Sequence, residues 1–244
     1  MRRELRPGQP VVGTFVNIAH PSSVEILGRA GFSVLCLDSE HSGFDLKDIF
    51  EGIRAAEGAG AQPLVRVPGS GPLISQVLDA GAAGVVVPRV SSAEEARSAA
   101  SFVHFPPLGE RGVGLARAGW YGESEDYRTD PERRSYLIVQ IETKRGLASA
   151  EEICSVDGVD MIMVGPYDLA ASMGVELWSE PHLAAVKEIF AAATLRGLAT
   201  CLFVTQPEQV VQFSSLGVDL FLLGSDVLIL AQGAAAILAA VAKS

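Results

Sequence analysis

Short apolar runs recur along the chain at regular intervals. They are VVGTFVNI (11–18), SVLCLDS (33–39), PLVRV (63–67), GVVVPRV (84–90), YLIVQIE (136–142), MIMVGP (161–166), ATCLFVT (199–205) and DLFLLG (219–224). Each is nearly continuous in Val, Ile, Leu and Phe, the pattern of a strand buried on both faces of a parallel sheet. The segments between them have helical composition. SSVEILGRAG, DLKDIFEGIRAAEGAG, GPLISQVLDAG and SSAEEARSAASFV follow the first four runs. RGLASAEEICSV, YDLAASMG with PHLAAVKEIFAAATLRG, QPEQVVQFSSLG and an Ala-rich tail follow the last four. Several open on Ser or Asp and close on Gly, as helices do. Eight alternating βα units predict an α/β chain folded as one (β/α)8 TIM barrel over residues 1–244. The alternative is an open doubly wound sheet. Such a sheet usually carries a Gly-rich turn after its first strand, where this chain reads AHPSSVE.

One stretch breaks the rhythm. FPPLGERGVGLARAGWYGESEDYRTDPERRS (105–135) is too long for an ordinary connection, so it is expected to be a lid, an oligomer contact or a plain excursion.

In a barrel, chemistry collects at the C-terminal ends of the strands. The second run ends in Asp38, Glu40 and His41; the third carries Arg66, alternating with Leu64. The fifth ends in Gln140 and Glu142, two residues apart and hence on one face. The sixth runs into GPYD, which puts Asp168 just beyond the strand. Each has a structural reading as well: Arg66 as the partner of a structural carboxylate, Asp168 as a helix cap, His41 as the cap of the second helix. Taken together they suit a hard divalent cation on Glu142 and Asp168, with Mg²⁺ or Mn²⁺ favoured by oxygen ligands and Co²⁺ a third candidate. Arg66 then faces an oxyanion. His41, with Asp38 three residues before it, makes a base oriented by a carboxylate. That combination suits enolate chemistry.

Composition narrows the partners. Nineteen Lys and Arg against 29 Asp and Glu give a net charge of −10, which disfavours nucleic acid. The N-terminal MRRELRPGQP lacks the apolar core of a signal peptide. The most apolar stretch, 227–242, is too short for a membrane span, so a cytoplasmic protein with no membrane partner is expected. Cys36, Cys154 and Cys201 lie far apart among apolar neighbours and read as core residues.

The ordered set LDSEH, PLVRVP, VQIET and GPYDLAASMG, with GTFVNIAHPSSVEILGRAGF, LDAGAAGVVVPRVSSAEEA and FPPLGERGVG, covers essentially the whole chain. It resembles the metal-dependent (class II) pyruvate aldolases of the 2-dehydro-3-deoxyglucarate and 4-hydroxy-2-oxoheptanedioate aldolase family. The resemblance implies reversible cleavage of a 4-hydroxy-2-oxo acid to pyruvate and an aldehyde. It places Glu142 and Asp168 on the metal and Arg66 on the pyruvate enolate. Asp38 and His41 fall on an acid–base pair working through water, and Gln140 falls near the metal and pyruvate. Backbone around Gly165, Pro166 and Asp168 falls on the pyruvate carboxylate. It implies no organic cofactor, and a homo-oligomer, hexameric or trimer-based, with the C-terminal helix (about 226–242) at the interface. Three departures touch the aldehyde side: Ala83 in GAAG, Arg89 in PRV, and WYGESEDY (120–127).

Other chemistries stay open. A Schiff-base aldolase would draw on Lys47, Lys144, Lys187 or Lys243, of which only Lys144 stands near a strand end. A metal-dependent decarboxylase or lyase of an oxaloacetate-like acid would use the same residues. A CoA-ester lyase fits an acidic chain poorly. A phosphate-binding barrel would want Gly-rich turns where this one has VTQPEQ and LGSDV. A non-catalytic small-acid-binding barrel is the remaining class.

Overall fold

The computed structural model describes residues 10–123 and 134–242. The N-terminal segment read for a signal sequence, residues 124–127 of WYGESEDY, and Lys243 lie outside the described residues.

All eight expected strands form, and they close in sequence order into a parallel barrel. They are β1 (Val11–Val16), β2 (Val34–Asp38), β3 (Gln62–Arg66), β4 (Gly84–Val87), β5 (Tyr136–Ile141), β6 (Met161–Val164), β7 (Ala199–Val204) and β8 (Leu220–Ser225). Closure excludes the open sheet. The ends PRV and GP of the fourth and sixth runs are not strand: PRV is a turn, and GP is the cap and first residue of a helix.

Alternation divides each strand between two cores. Inward-facing Val11, Phe15, Val34, Cys36, Leu64, Val86, Ile138, Met161, Met163, Cys201, Leu220 and Leu222 fill the barrel as one buried cluster. Their neighbours in sequence, such as Leu35, Leu37, Val65, Val85, Val139, Ile162 and Leu202, face outward into a larger core beneath the helices. Those helices are α1 (Pro21–Ala30), α2 (Leu46–Gly58), α3 (Pro72–Asp79), α4 (Ala93–Val103), α5 (Lys144–Ala148), α6 (Ala150–Cys154), α7 (Pro166–Met173), α8 (Glu180–Leu195), α9 (Pro207–Phe213) and α10 (Asp226–Val241). The single segment expected after β5 is two short helices divided at Ser149.

Several caps match their chemistry. Asp45 and Asp48 form a reciprocal capping box on α2, so His41 is not its cap. Ser92 caps α4, while on α1 the cap is His20, whose Nδ1 accepts from the Ser22 amide at 3.1 Å. The N-cap of α7 is Gly165, so Asp168 sits in the first turn without a capping bond. All three cysteines are free and buried. Burial raises all their thiols, that of Cys154 to about 11, which leaves them unreactive packing groups.

The described residues of the long connection after α4 stay at the base of the barrel. Arg111 binds Asp79 at the end of α3 (2.6 Å) and Ser135 at the start of β5 (3.1 Å), and lies over the Phe105 ring. Arg117, in a 3-10 turn (Arg117–Gly122), pairs with Glu57 of α2 and donates to the Ala80 carbonyl. Its described residues are therefore not a lid over their own barrel mouth. Among the described residues, no helix is long and apolar enough to cross a membrane.

Candidate active site

The polar side chains stand where period two and the barrel register put them. Asp38 and Arg66 end adjacent strands and are direct register partners. Gln140 and Glu142 point inward from the end of β5, and Gly165 and Asp168 follow β6. Together with Phe15, Asn17, His41, Met163, Pro166, Tyr167, Phe203 and Ser225, most of these line a cavity of about 270 Å³. The apolar inner core closes it from below.

Arg66 and Asp38 form a forked pair: Nε donates to Oδ1 at 2.9 Å and Nη2 to Oδ2 at 2.7 Å. Asp38 is almost wholly buried and also accepts from the Asn17 side-chain amide (2.8 Å) and the Glu40 and His41 backbone amides (3.1 and 3.3 Å). Burial alone would raise its carboxyl, but the Arg66 hydrogen bonds and charge outweigh it and hold the group below its ordinary value. Arg66 is further flanked by Glu40 at 3.4 Å, stacked 4.5 Å above the Phe15 ring, and lines the cavity.

The expected Asp38–His41 arrangement is therefore different in detail. Asp38 reaches His41 only through the backbone amide, because the cross-strand register commits its carboxylate to Arg66. The His41 ring is 65% exposed, and its Nε2 lies 3.6 Å from Glu40. Burial raises the Glu40 carboxyl, against the opposing pull of Arg66.

Glu142 is held at both oxygens. Oε1 accepts the Arg89 backbone N–H at 2.8 Å, and Oε2 accepts from the Gln140 side-chain amide. The first contact explains the PRV turn: Arg89 adopts φ +58, a left-handed conformation costly for a non-glycine residue, and its amide is thereby turned onto the carboxylate. Gly165 is required for a steric reason. A Cβ there would strike the Glu142 carboxylate and lie 2.8 Å from Gln140 Nε2.

Whether these residues fit a divalent cation can be judged from their unmet needs. Burial raises the Glu142 carboxyl above its ordinary 4.5, and the nearby charge of Asp168 adds to this. Gln140 Oε1 is a buried acceptor without a partner. Raised carboxylate, second carboxylate and orphaned oxygen form an all-oxygen donor set, hard in character and suited to Mg²⁺ or Mn²⁺. No group of three or more His, Cys, Asp or Glu of metal-binding geometry occurs among the described residues. The fit is thus to a cation completed by water or substrate rather than to an all-protein cage.

Phe15, Asn17, Tyr167, Phe203 and Ser225 line the cavity but carried no chemical signature in sequence. Asn17 had the clearest available signal, standing two residues beyond inward Phe15 at the end of β1. Ala83, in contrast, precedes β4 and lines a groove at the base with Arg117 and Arg134, away from the mouth. Lys144 is exposed at the start of α5, and among the described residues no lysine lines the cavity or is placed to form a Schiff base there.

Comparison with known proteins agrees with this geometry. The sequence profile of the HpcH/HpaI aldolase/citrate lyase family matches residues 12–232. A hydroxypyruvate/pyruvate aldolase of Roseovarius nubinhibens is 36% identical over 235 residues, spanning 94% of this chain and 91% of the relative. A 2-keto-3-deoxy-L-rhamnonate aldolase of Escherichia coli strain K12 is 38% identical over 176 residues, 71% of this chain and 66% of that one. Among solved structures, an HpcH/HpaI aldolase/citrate lyase family protein from Burkholderia cenocepacia J2315 superposes with a TM-score of 0.92 at 32% identity. The match covers 98% of both chains.

Proposed function

This chain belongs to the HpcH/HpaI aldolase/citrate lyase family and is a carbon–carbon lyase of the aldolase type, and from that premise we propose that it cleaves a 4-hydroxy-2-oxo acid reversibly into pyruvate and an aldehyde with a divalent ion, Mg²⁺ or Mn²⁺. The observation that carries the reading is one small cavity lined by Arg66, Asp168 and Gln140, whose Oε1 is orphaned, with the raised Glu142 carboxylate held just behind by Gln140. Substrates of the 2-dehydro-3-deoxyglucarate or 4-hydroxy-2-oxoheptanedioate type are the proposed class.

Glu142 and Asp168 would hold the ion, which when bound supplies Lewis-acid polarisation of a 2-oxo group. The substrate carboxylate docks at the N-terminus of α7. Gly165 N–H is already given to the Ile141 carbonyl and Pro166 has none, so the amides of Tyr167 and Asp168 are the ones available. The Arg66 guanidinium hydrogen-bonds the oxygen that gains charge as the C3–C4 bond breaks, and the Asp38 fork fixes its direction. His41, at the open edge, takes the 4-hydroxyl proton, directly or through water.

The helix α10 supports a homo-oligomer. Val227, Ile229, Leu230, Ile237, Leu238 and Val241 are all exposed along it, and we propose that a second copy covers them. Sedimentation velocity reads this directly; a monomer at micromolar concentration would refute it. The activity is tested by pyruvate release from 4-hydroxy-2-oxo acids before chelation, after chelation and after Mn²⁺ restoration. Release lost on chelation and regained with Mn²⁺ is expected, whereas release indifferent to chelation overturns the metal reading.

A further inference from the structure

The LGSDV turn leads from β8 into α10 and carries an acidic side chain, Asp226. Asp226 is the buried residue of an otherwise exposed α10. Its Oδ1 accepts the Asn17 backbone N–H at 2.8 Å. Its Oδ2 accepts the Ile18 N–H at 3.0 Å and the Ser23 hydroxyl at 2.7 Å. Helix capping accounts for only part of this: Oδ1 also takes the Val227 amide of its own helix at 2.8 Å, and Ser225 accepts from the Leu228 amide. The carboxylate also grips the β1–α1 turn, more than 200 positions away in sequence. Asn17, held there by its backbone, donates its side-chain amide to Asp38 Oδ2, the oxygen that also receives Arg66 Nη2. The bonds run unbroken from the C-terminal helix to the guanidinium.

We propose that Asp226 is a positioning residue for Arg66: it sets the β1–α1 turn so that Asn17 holds Asp38, and Asp38 aims the guanidinium into the cavity. The catalytic consequence rests on the aldolase reading; the coupling itself does not. Both Asp226 oxygens receive donors, and an alanine would leave two half-buried amides and the Ser23 hydroxyl without this acceptor. The turn would then shift and Asn17 with it. Glu142, just past β5, and Asp168, on α7, lie outside this chain of bonds.

The test uses D226A, N17A, the double variant and D226N, which keeps one acceptor oxygen if D226A fails to fold. The first readout needs no substrate: the Arg66 Nε–H signal in a ¹H–¹⁵N spectrum, identified by its absence in R66K. Both single variants should move this signal and speed its solvent exchange. The second readout is pyruvate methyl-proton exchange in D₂O, expected to slow about 10- to 100-fold in each single variant. The double variant should be no slower than the slower single one, and Mn²⁺ affinity should not change. An unmoved Arg66 signal in D226A, D226N and N17A overturns the proposal, leaving Asp226 a structural anchor. Wild-type protein without pyruvate exchange overturns the aldolase reading instead, and the Arg66 signal still decides the coupling.

Discussion

Arginine–carboxylate pairs stand at both ends of the barrel, and the two ends use them differently. At the base, Arg111–Asp79, Arg117–Glu57 and Arg134–Asp160 tie the long connection and strand starts to helix ends. The one orphaned atom among these arginines, Arg111 Nε, belongs to a guanidinium stacked on Phe105. At the mouth, Arg66–Asp38 is just as short and better buried, yet its neighbours have bonding capacity left over. Glu142 is held protonated more readily than an ordinary carboxyl, Gln140 Oε1 has no donor, and Arg66 lines the cavity. An ion pair alone does not mark a site. What marks one is unmet capacity facing a cavity that a ligand can enter.

The largest expected effect separates the two ends directly. R66K keeps the charge but loses the fork, so pyruvate methyl-proton exchange should fall by about 10²- to 10³-fold. R111K at the base should leave exchange unchanged and cost about 1–2 kcal/mol in chemical denaturation. Equal losses of exchange from both would erase the distinction.

G165A comes next. Its Cβ would displace the Glu142 carboxylate and Gln140 amide, so Mn²⁺ affinity by titration calorimetry should drop about 10- to 100-fold. Unaltered affinity would mean that Glu142 does not hold the ion.

Proton linkage gives a smaller, graded effect. Burial raises Glu142 in the metal-free protein, so the folded chain binds its proton more tightly than the unfolded chain. Its contribution to stability is therefore full at low pH and lost as pH rises through the folded value. Mn²⁺ binding, which needs the carboxylate, should strengthen over the same window above 4.5. Asp38 runs oppositely: its carboxyl is lowered, so its contribution is present above 3.8 and lost as pH falls. Thermal unfolding with and without Mn²⁺ should show the gap widening with pH, and E142Q should flatten it.

The barrel was legible because buried parallel strands announce themselves as apolar runs, and period two then ordered Leu64 with Arg66 and Gln140 with Glu142. Directions set by turns were not legible. Asp38 and His41 are near in sequence, but register with Arg66 turns the carboxylate away from the imidazole and leaves Glu40 beside the ring. Arg89 stands out in sequence as a departure on the aldehyde side, and only the structure shows that its backbone amide serves Glu142. Ala83 looked like another, and barrel geometry puts it at the opposite end. Asn17 passed unnoticed because a lone Asn after a strand looks like the start of a helix.

The smallest expected effect is none at all: K144A should retain exchange, because Lys144 is outside the cavity.

The central claim is that a cation held by Glu142 and Asp168 works with Arg66 to enolise pyruvate. Methyl-proton exchange of pyruvate in D₂O, followed by NMR on the wild-type protein, tests it most directly. The account predicts exchange that stops on chelation and returns with Mn²⁺. Exchange that continues in the chelated protein, with borohydride then trapping pyruvate on a lysine, would contradict it.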